Sequence, residues 1–406
     1  MKTEIERLRE LMRAAGARPR PLPACPPVPG FLQVETPTGP AWVREKRYGA
    51  GWAQGAFALR SWGEVTPEAL GFLTAGSCSA PQLLFVDVEA TGLGGAGVQV
   101  FLAGSARLVD GELVLTQHFL PGPGHEAAFL HELNCRWPPH SWLVTYNGKS
   151  FDWPLLSDRY TMQGQSRPTI AGHLDLLFWA RRLFGTCLAS CSLISLEQEV
   201  LGMARSGDIP AQLVPAAYFE YVRSGDLGCM ARVLEHNLHD MLSLVALTGT
   251  FAAYSLGHLD TPFAGPIQLG LARRYEELGQ AAQARACYHR ALAGELTPQL
   301  RGWTLRRLGF LEKRHGDGEK AQAAFAAAVS ILGHDPVACT ELAKHLEHRI
   351  GDFDHAARVV IQALSGPGGR AEPWRSRLQQ RLARLDGKRG RSRPAAPGAD
   401  AAGFRK

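Results

Sequence analysis

The clearest alternation of apolar runs and turn residues lies between residues 82 and 177. The run LLFVDVE (83–89) is apolar until it ends in two acids, which is typical of a strand buried on both faces. The runs at 98–109 and 112–120 flank Asp110-Gly111, a turn typical of antiparallel hairpins. Further strands are predicted at 141–147 and 173–177, with helices at 125–135, 151–162, 193–202, 215–224 and 227–253. Together they predict an α/β fold with a mixed sheet flanked by helices.

A longer period begins near residue 266. The segment 266–366 aligns on Gly279, Gly316 and Gly351, which are 37 and 35 residues apart. Small or apolar residues recur five, nine and twelve positions after each glycine, namely Ala284, Ala321 and Ala356, then Tyr288, Phe325 and Val360, then Ala291, Ala328 and Ala363. This pattern resembles the tetratricopeptide repeat, whose period is about 34 residues, and such arrays bind partners along a groove. A generic Ala-rich helical bundle is the alternative.

The two ends of the chain differ in composition from its middle. Residues 1–20 predict a short amphipathic helix, 19–29 a Pro-rich connector and 31–80 a strand-rich preface. From Ser365 onward, eleven Arg/Lys face three Asp/Glu, a net charge of +8, so the other 364 residues carry −2. Residues 373–385 predict a basic helix and 386–406 a disordered, low-complexity segment. We therefore expect an N-terminal region (1–80), a sheet domain (81–255), helical repeats (266–366) and a basic, partly disordered tail (367–406).

Composition narrows the class of protein. Apolar residues make up 45% of the chain and charged residues 20%, enough to bury a sizeable core. The opening MKTEIERLRE has no apolar stretch of a secretory signal, and the most apolar segment, 241–254, is too short to span a bilayer. The eight cysteines are scattered without C-x-x-C spacing, which argues against a zinc set and fits a reducing compartment. We expect a cytoplasmic protein.

Four acids stand out by their places in the predicted elements. Asp87 and Glu89 share one face at the end of a buried strand, so a hard divalent cation is their natural neutraliser; a water-exposed strand end is the alternative. Asp152 opens a helix just after a strand and turn, where an acid also favours the helix dipole. Asp240 lies in a long helix, four residues after His236, where a solvated helix acid is equally typical.

Taken in order, these motifs resemble a known superfamily. The phrases FVDVEATGLGG, LVTYNGKSFDWPLL, HLDLLFWARRLF, GDIPAQLVPAAYFEYVRSGD and EHNLHDMLSL are similar to the DEDD 3′–5′ exonucleases of the ribonuclease H-like superfamily, and most of all to its YprB-like branch. The resemblance covers about residues 82–250, and 30–80 more weakly. It implies that Asp87, Glu89, Asp152 and Asp240 bind two divalent cations, Mg²⁺ or Mn²⁺. It also implies hydrolysis of phosphodiester bonds in single-stranded nucleic acid.

The general base departs from the pattern of the resemblance. Tyrosine-type members have Tyr four residues before the last Asp, and histidine-type members have His five before it. Here His236 occupies the tyrosine position and Glu235 the histidine position, while His239 points about 100° away around the helix. His236 is therefore either the base or a structural residue. The family's D-x-E-T is also altered, because Ala90 replaces Thr and Thr91 follows.

Three further residues are candidates for substrate binding: Thr91, Asn147 and Lys149, of which Asn147 also fits a simple turn. The glycines after Glu89 do not form a dinucleotide-binding fingerprint. Two functions remain open. One is a metal-dependent nuclease whose repeats dock a protein partner; the other is a non-catalytic nucleic-acid-binding or scaffold protein with a degenerate exonuclease fold. The basic tail fits both, since Lys and Arg clusters bind phosphates regardless of chemistry.

Overall fold

A computed structural model describes residues 28–392 except Leu93 and Ala96. The chain forms two compact units, one containing the residues up to Arg181 with Ser190–His258, the other Arg182–Ala189 with the residues from Leu259 on. The helix predicted for residues 1–20, most of the Pro-rich connector and the last fourteen residues of the predicted tail lie outside the described part.

The first unit is built on a seven-stranded sheet in the order β1-β2-β7-β6-β5-β8-β9. A separate two-stranded ribbon pairs β3 with β4. Strand β5 runs antiparallel to β6 and parallel to β8, so the predicted mixed sheet is confirmed. The strands are β1 (Leu32–Thr36), β2 (Gly39–Tyr48), β3 (Ala53–Gln54), β4 (Phe57–Ala58), β5 (Leu83–Ala90), β6 (Val100–Val109), β7 (Glu112–Phe119), β8 (Ser141–Thr145) and β9 (Ile170–Asp175).

The central strands form where the apolar runs predict them. Leu83 to Val86 of β5 and the first seven residues of β6 are buried, as expected for strands covered on both faces. The hairpin between β6 and β7 turns at Asp110 and Gly111, whose φ angles are 50° and 82°. Positive φ at both residues is typical of a type I′ turn, whose twist matches that of the flanking strands.

Helices cover both faces of this sheet. They are α1 (Pro67–Thr74), α2 (Glu126–Arg136), α3 (Asp152–Met162), α4 (Leu176–Phe184), α5 (Leu193–Glu199), α6 (Val214–Ser224) and α7 (Gly228–Ser255), with 3-10 turns at Leu59–Glu64, Ala80–Gln82, Pro123–His125 and Ala211–Leu213. Helix α7 packs across β5 and β6. The two come close because Gly104 of β6 has no side chain: a Cβ there would lie 2.6 Å from Asn237 Oδ1.

The strand-rich region before residue 81 is part of the same sheet. Strand β2 pairs with β7, with Trp42 opposite Phe119, and β1 pairs with β2. Trp42 and Val43 are buried, so these strands complete the core. The predicted boundary between residues 80 and 81 is therefore wrong. The outer edge of β7 needs a partner for its backbone groups, and β2 supplies it.

The second unit contains helical hairpins, which confirms the predicted helical repeats. The helices are α8 (Ala264–Glu277), α9 (Ala281–Ala293), α10 (Pro298–Arg314), α11 (Gly318–Leu332), α12 (Pro336–His345, extended by a π-turn at Leu346–Ile350) and α13 (Phe353–Ser365). The three aligned glycines lie in the turns between paired helices, all with positive φ. The small and apolar residues at the repeated offsets are all buried, so they form the contact faces of the hairpins.

Part of the predicted tail belongs to this unit. After a short helix, α14 (Pro367–Arg370), helix α15 (Trp374–Ser392) buries Leu378 and Leu385 in the core formed by α11–α13. The boundary predicted at residue 367 therefore does not end the folded unit, because α15 has an apolar stripe as well as its charges. Arg381, Arg384 and Lys388 also bind the buried Glu347. Among the described residues, no helix is both long and apolar enough to cross a membrane.

Candidate active site

The four acids meet at the carboxyl end of β5. Asp87 and Glu89 point to the same face of the strand, and the β5–β6 register shifts between Glu89 and Ala90. Asp152 begins α3, after the turn that follows the parallel neighbour β8. Asp240 reaches the same place from the middle of α7. Two strand ends and one helix therefore bring together residues far apart in sequence.

A buried carboxylate shapes the turn that carries Asp152. Asp175, at the end of β9, accepts hydrogen bonds from the backbone N–H groups of Asn147 (2.7 Å) and Lys149 (3.1 Å). Asn147 has a φ of 65°, and a Cβ on Gly148 would lie 2.5 Å from Asp152 Oδ2. Gly148 therefore leaves room for the Asp152 side chain, and Asn147 adopts a positive φ that asparagine tolerates better than most residues. The turn role considered for Asn147 is the one the structure supports.

The environment of the cluster disfavours ionisation of its acids. Burial, followed by repulsion from Asp240, raises the pKa of both Asp87 and Glu89 well above the usual values. Burial, followed by Asp175 and Asp240, raises the pKa of Asp152 to about 7. Burial also raises the pKa of Asp240, although Arg205 and His236 oppose that shift. Carboxyl groups in such surroundings ionise readily only when a cation joins them.

A chain of buried amides holds Asp87. Asn237 Nδ2 donates to Asp87 Oδ2 at 2.7 Å, and Gln117 Nε2 donates to Asn237 Oδ1 at 2.8 Å. Arg44 Nε of β2 donates to Gln117 Oε1 at 2.9 Å. Both amide side chains are fully buried, so each replaces the water that would otherwise solvate the next group. The orientation of Asp87 therefore depends on residues from three elements.

His236 is held by a carboxylate with one ring nitrogen toward the acids. Its Nδ1 lies 2.7 Å from Asp208 Oδ1, and its Nε2 lies 3.7 Å from Glu89 Oε1 and 3.8 Å from Asp240 Oδ2. A proton on Nδ1 satisfies Asp208 and leaves Nε2 free to accept one in the site. The hydrogen bond with His236 helps lower the pKa of Asp208, against the opposing effect of burial.

Arg205 is the cation nearest to the cluster. Its guanidinium binds Glu197 through Nε at 2.8 Å and through Nη2, and Nη2 also contacts Asp240 Oδ1. Only 4% of its side chain is exposed. Burial alone would lower the pKa of Arg205. The negative charges of Asp240 and Glu197 raise this pKa by more than burial lowers it, so the guanidinium stays charged.

The donor chemistry of the cluster suits a hard divalent ion. The four predicted ligands offer only carboxylate oxygens, which Mg²⁺ and Mn²⁺ prefer. As the side chains stand, however, no three His, Cys, Asp or Glu residues in the described part of the chain are arranged to hold a metal ion. Asp87 Oδ2 instead accepts a hydrogen bond from Asn237, whereas Asp240 Oδ1 forms an ion pair with Arg205 and accepts no hydrogen bond among the described residues. Metal binding by the four acids remains a prediction.

The other predicted residues lie in or beside the site with different partners. Thr91 Oγ1 accepts a hydrogen bond from the backbone N–H of Gln99 at 2.9 Å and so closes the glycine-rich loop. The Lys149 ammonium lies over the Phe178 ring, 5.6 Å from its centroid. Glu235, the alternative to His236, pairs instead with Arg44 and Lys46, each at 3.6 Å, and nearly half of its side chain is exposed.

An open pocket of about 370 Å³ adjoins Glu89 and Asp152. Apart from these acids and Gln212, its walls are apolar or backbone, and Phe151 lines it with a ring that is 45% exposed. The lining residues are Val88, Glu89, Ala90, Gly92, Phe151, Asp152, Leu155, Ala211, Gln212, Val214 and Pro215. A flat apolar group fits the apolar walls of such a pocket, whereas its two acids favour a neighbouring cation.

Sequence reasoning missed Arg205, Asp208, Glu197, Gln117 and Asn237. Arg205 and Asp208 lie in an irregular loop, where no period indicates which side chains point inward. Asn237 carried a usable signal, because it stands at spacings of three and four from Leu234 and Met241, inside the apolar stripe of α7. A polar residue at a buried helical position needs a hydrogen-bond partner.

The chain is similar in sequence to a known superfamily and to a known protein. Residues 84–252 match the RNase_H superfamily model. The uncharacterized protein YprB of Bacillus subtilis (strain 168) is 33% identical over 322 residues, which cover 77% of this chain and 76% of that protein. A crystal structure of kinesin light chain TPR-like repeats from Podosopora anserina is 18% identical and covers 44% of this chain and 88% of its own, with a TM-score of 0.29. The chain therefore belongs to the family of YprB and carries a domain of the RNase H superfamily.

Proposed function

We propose that the protein is a divalent-metal-dependent nuclease that removes nucleotides from the 3′ ends of single-stranded DNA or RNA. The observation that carries the proposal is the meeting of Asp87, Glu89, Asp152 and Asp240 at one strand end, where burial raises the pKa of all four. Crowding four acids at one partly buried strand end costs the fold stability, so a bound cation or a reaction is the physical reason to keep them. Membership of the RNase H superfamily supports nuclease chemistry in general.

The residues of the site would have different roles in phosphodiester hydrolysis. Mg²⁺ or Mn²⁺, when bound, would supply positive charge that favours attack by water and stabilises the leaving oxygen. The four acids would hold these ions. His236, with Nε2 directed toward Glu89 and Asp240, would accept the proton of the attacking water. Asp208 then stabilises the imidazolium that forms, because it already binds Nδ1.

The pocket beside the acids favours an end over the middle of a strand. Its volume of about 370 Å³ suits one nucleotide, and the exposed Phe151 ring offers a face on which a base can stack. Lys149 and Thr91, which contact Phe178 and Gln99 in this structure, stay candidates for binding phosphate once substrate is present. The proposal includes a cytoplasmic location, in keeping with the seven described cysteines, all free thiols. It also includes a protein partner for the helical repeats.

The proposal is tested with 5′-labelled single-stranded DNA and RNA in Mn²⁺ or in EDTA. We expect a ladder of products shortened from the 3′ end in Mn²⁺, no products in EDTA, and inhibition by a 3′-terminal phosphate. Asp87→Asn is expected to lower the rate by more than about 100-fold, since even groups that only orient a metal ligand contribute about 10–100-fold.

Asp158→Asn is the matched control, because Asp158 is an exposed acid on α3, one and a half turns beyond Asp152. Its rate should equal that of the wild type. Tight binding of single-stranded substrate without any cleavage in Mn²⁺ or Mg²⁺ would contradict the proposal and favour the non-catalytic scaffold.

A further inference from the structure

A second pocket, formed by the helical unit, is lined by more cations than acids. It lies between α10, α11 and α12 and has a volume of about 340 Å³, within the range of roughly 300–1,000 Å³ that is typical of small-molecule sites. Three of its lining side chains are cations, namely Lys313, Lys344 and Arg349, and one is an acid, Glu341. With its two histidines neutral, the wall of the pocket therefore carries a net charge of +2.

Glu341 holds the two lysines at the pocket. Lys313 of α10 donates to its Oε2, and Lys344 of α12 donates to its Oε1 at 2.6 Å. Only 9% of the Glu341 side chain is exposed. Burial alone would raise the pKa of Glu341, but the hydrogen bonds from both lysines lower this pKa by more, so the group stays a carboxylate. One buried anion thus brings two ammonium groups together, balances only one of their charges and leaves each with further N–H groups to donate.

Arg349 adds a third positive charge, and it forms no ion pair with any acid in the described part of the chain. With His348, it lies in the π-turn at Leu346–Ile350 that extends α12. Such insertions in helices are frequent at functional sites. Glu347 of the same turn is already bound by three cations of α15. The pKa of His345, just before the turn, is lowered first by burial and then by the charge of Arg349, so its ring adds a neutral partner to the pocket.

The charge and the shape of the pocket distinguish among anions. A carboxylate or an internal phosphodiester carries one negative charge and would leave the pocket positive. A terminal phosphate carries about −1.5 to −2 at pH 7 and has three strong acceptor oxygens, so it matches three convergent cations. Space remains beyond the phosphate, because the pocket extends to Ala321, Gln322 and Phe325 of α11. An apolar wall next to an amide suits a nucleobase, which packs through its flat face and hydrogen-bonds through its edge.

We propose that this pocket binds the terminal phosphate of a nucleotide, with Lys313, Lys344 and Arg349 contacting the phosphate oxygens and the wall of α11 contacting the base. Free nucleoside 5′-monophosphates and 5′-phosphorylated strand ends share this chemistry. Glu341 is a positioning residue, because it fixes the two lysines without touching the ligand. The site is independent of the proposed nuclease, since residues of the second unit alone line it.

The test is a calorimetric titration of the full-length protein in EDTA, so that no metal at the acidic cluster of the first unit attracts phosphate. Adenosine 5′-monophosphate should bind, and adenosine should not. A 5′-phosphorylated dinucleotide identifies the source of the phosphate: tighter binding than the mononucleotide assigns the pocket to strand ends, and weaker binding assigns it to free nucleotides. Equal binding of adenosine, binding of neither phosphorylated probe, or tighter binding of a phosphoserine peptide would overturn the proposal.

Two variants assign the binding to this pocket. Arg349→Gln removes an exposed side chain without breaking an ion pair, and Lys344→Gln leaves Glu341 paired with Lys313, so both should fold, as circular dichroism would verify. Each should weaken binding of adenosine 5′-monophosphate by at least about tenfold, because a hydrogen bond between charged groups contributes about that much.

The matched control is Lys320→Gln. Lys320 is an exposed lysine of α11 that pairs with Asp317 at 2.8 Å and does not line the pocket. Its removal should leave the affinity for adenosine 5′-monophosphate unchanged. Wild-type affinity in both Arg349→Gln and Lys344→Gln would overturn the proposal, whereas loss of affinity in both, with wild-type affinity in Lys320→Gln, would support it even in a protein without nuclease activity.

Discussion

The titration of Asp152 should be visible in the stability of the metal-free protein, within a definite range of pH. Its pKa is raised from 3.8 to about 7, first by burial and then by Asp175 and Asp240. Between about pH 5 and pH 7 the folded state holds a proton on this group that the unfolded state has already released. A raised folded pKa in an acid means that stability is lost as the pH rises through this window.

The size of the effect follows from the width of the window. About two pH units, at about 1.4 kcal/mol per unit, give a loss of about 2–3 kcal/mol between about pH 5 and pH 8. Asp152→Asn removes this titration. Between about pH 5 and pH 8, the free energy of unfolding of the metal-free variant should therefore fall by about 2–3 kcal/mol less than that of the wild type. Mn²⁺ should reverse the ranking at the higher pH, because a bound ion stabilises only the carboxylate.

Urea unfolding in EDTA, followed by tryptophan fluorescence at the two pH values, measures the difference. Asp158→Asn serves as the control for a change of charge on the same helix, and its pH dependence should match that of the wild type. If Asp152→Asn and the wild type lose stability in parallel, the burial of Asp152 among other acids does not govern its ionisation, and the reasoning fails.

Two further predictions concern catalysis and binding. His236→Ala should lower the nuclease rate by about 10²–10⁴-fold, and Asp208→Asn by less, because Asp208 acts only through the ring of His236. His236→Tyr should retain more activity than His236→Ala, and a wild-type rate in His236→Ala would assign the base elsewhere. Arg375→Gln with Arg377→Gln, both exposed on α15, should reduce the slope of log K against log[salt] for single-stranded nucleic acid by about 1.4. An unchanged slope would assign the basic helix to another partner.

The sheet of the first unit and the hairpins of the second were predictable because each has a strong local period. The β6–β7 hairpin was predictable from two apolar runs with Asp110-Gly111 between them. The helical hairpins were predictable from the spacing of three glycines and from the small or apolar residues at fixed positions after each one, which are buried. The pairing of β2 with β7 was not predictable in this way, because the paired residues are at least 65 positions apart, from Tyr48 to Leu113, and nothing local marks the edge that β2 occupies.

The site was predictable where motifs are compact and unpredictable where tertiary contacts decide. The sequence indicated Asp87, Glu89, Asp152, Asp240 and His236, and the structure brings them together. It gave no sign that Arg205 contacts Asp240, because the two residues are 35 positions apart, with helix α6 and the first part of α7 between them. Lys149, expected near phosphate, lies over Phe178, since a long flexible side chain has no position fixed by its place in a motif.

The amide chain that ends at Asp87 begins outside the segment that identifies the superfamily. The match starts at residue 84, whereas Arg44 belongs to a strand some forty residues earlier. A relative can therefore keep every acid of the motif and still hold its first carboxylate differently, if it lacks the strand that brings in this arginine. When the activity of such relatives is inferred, the presence of β2 is as informative as the presence of the acids.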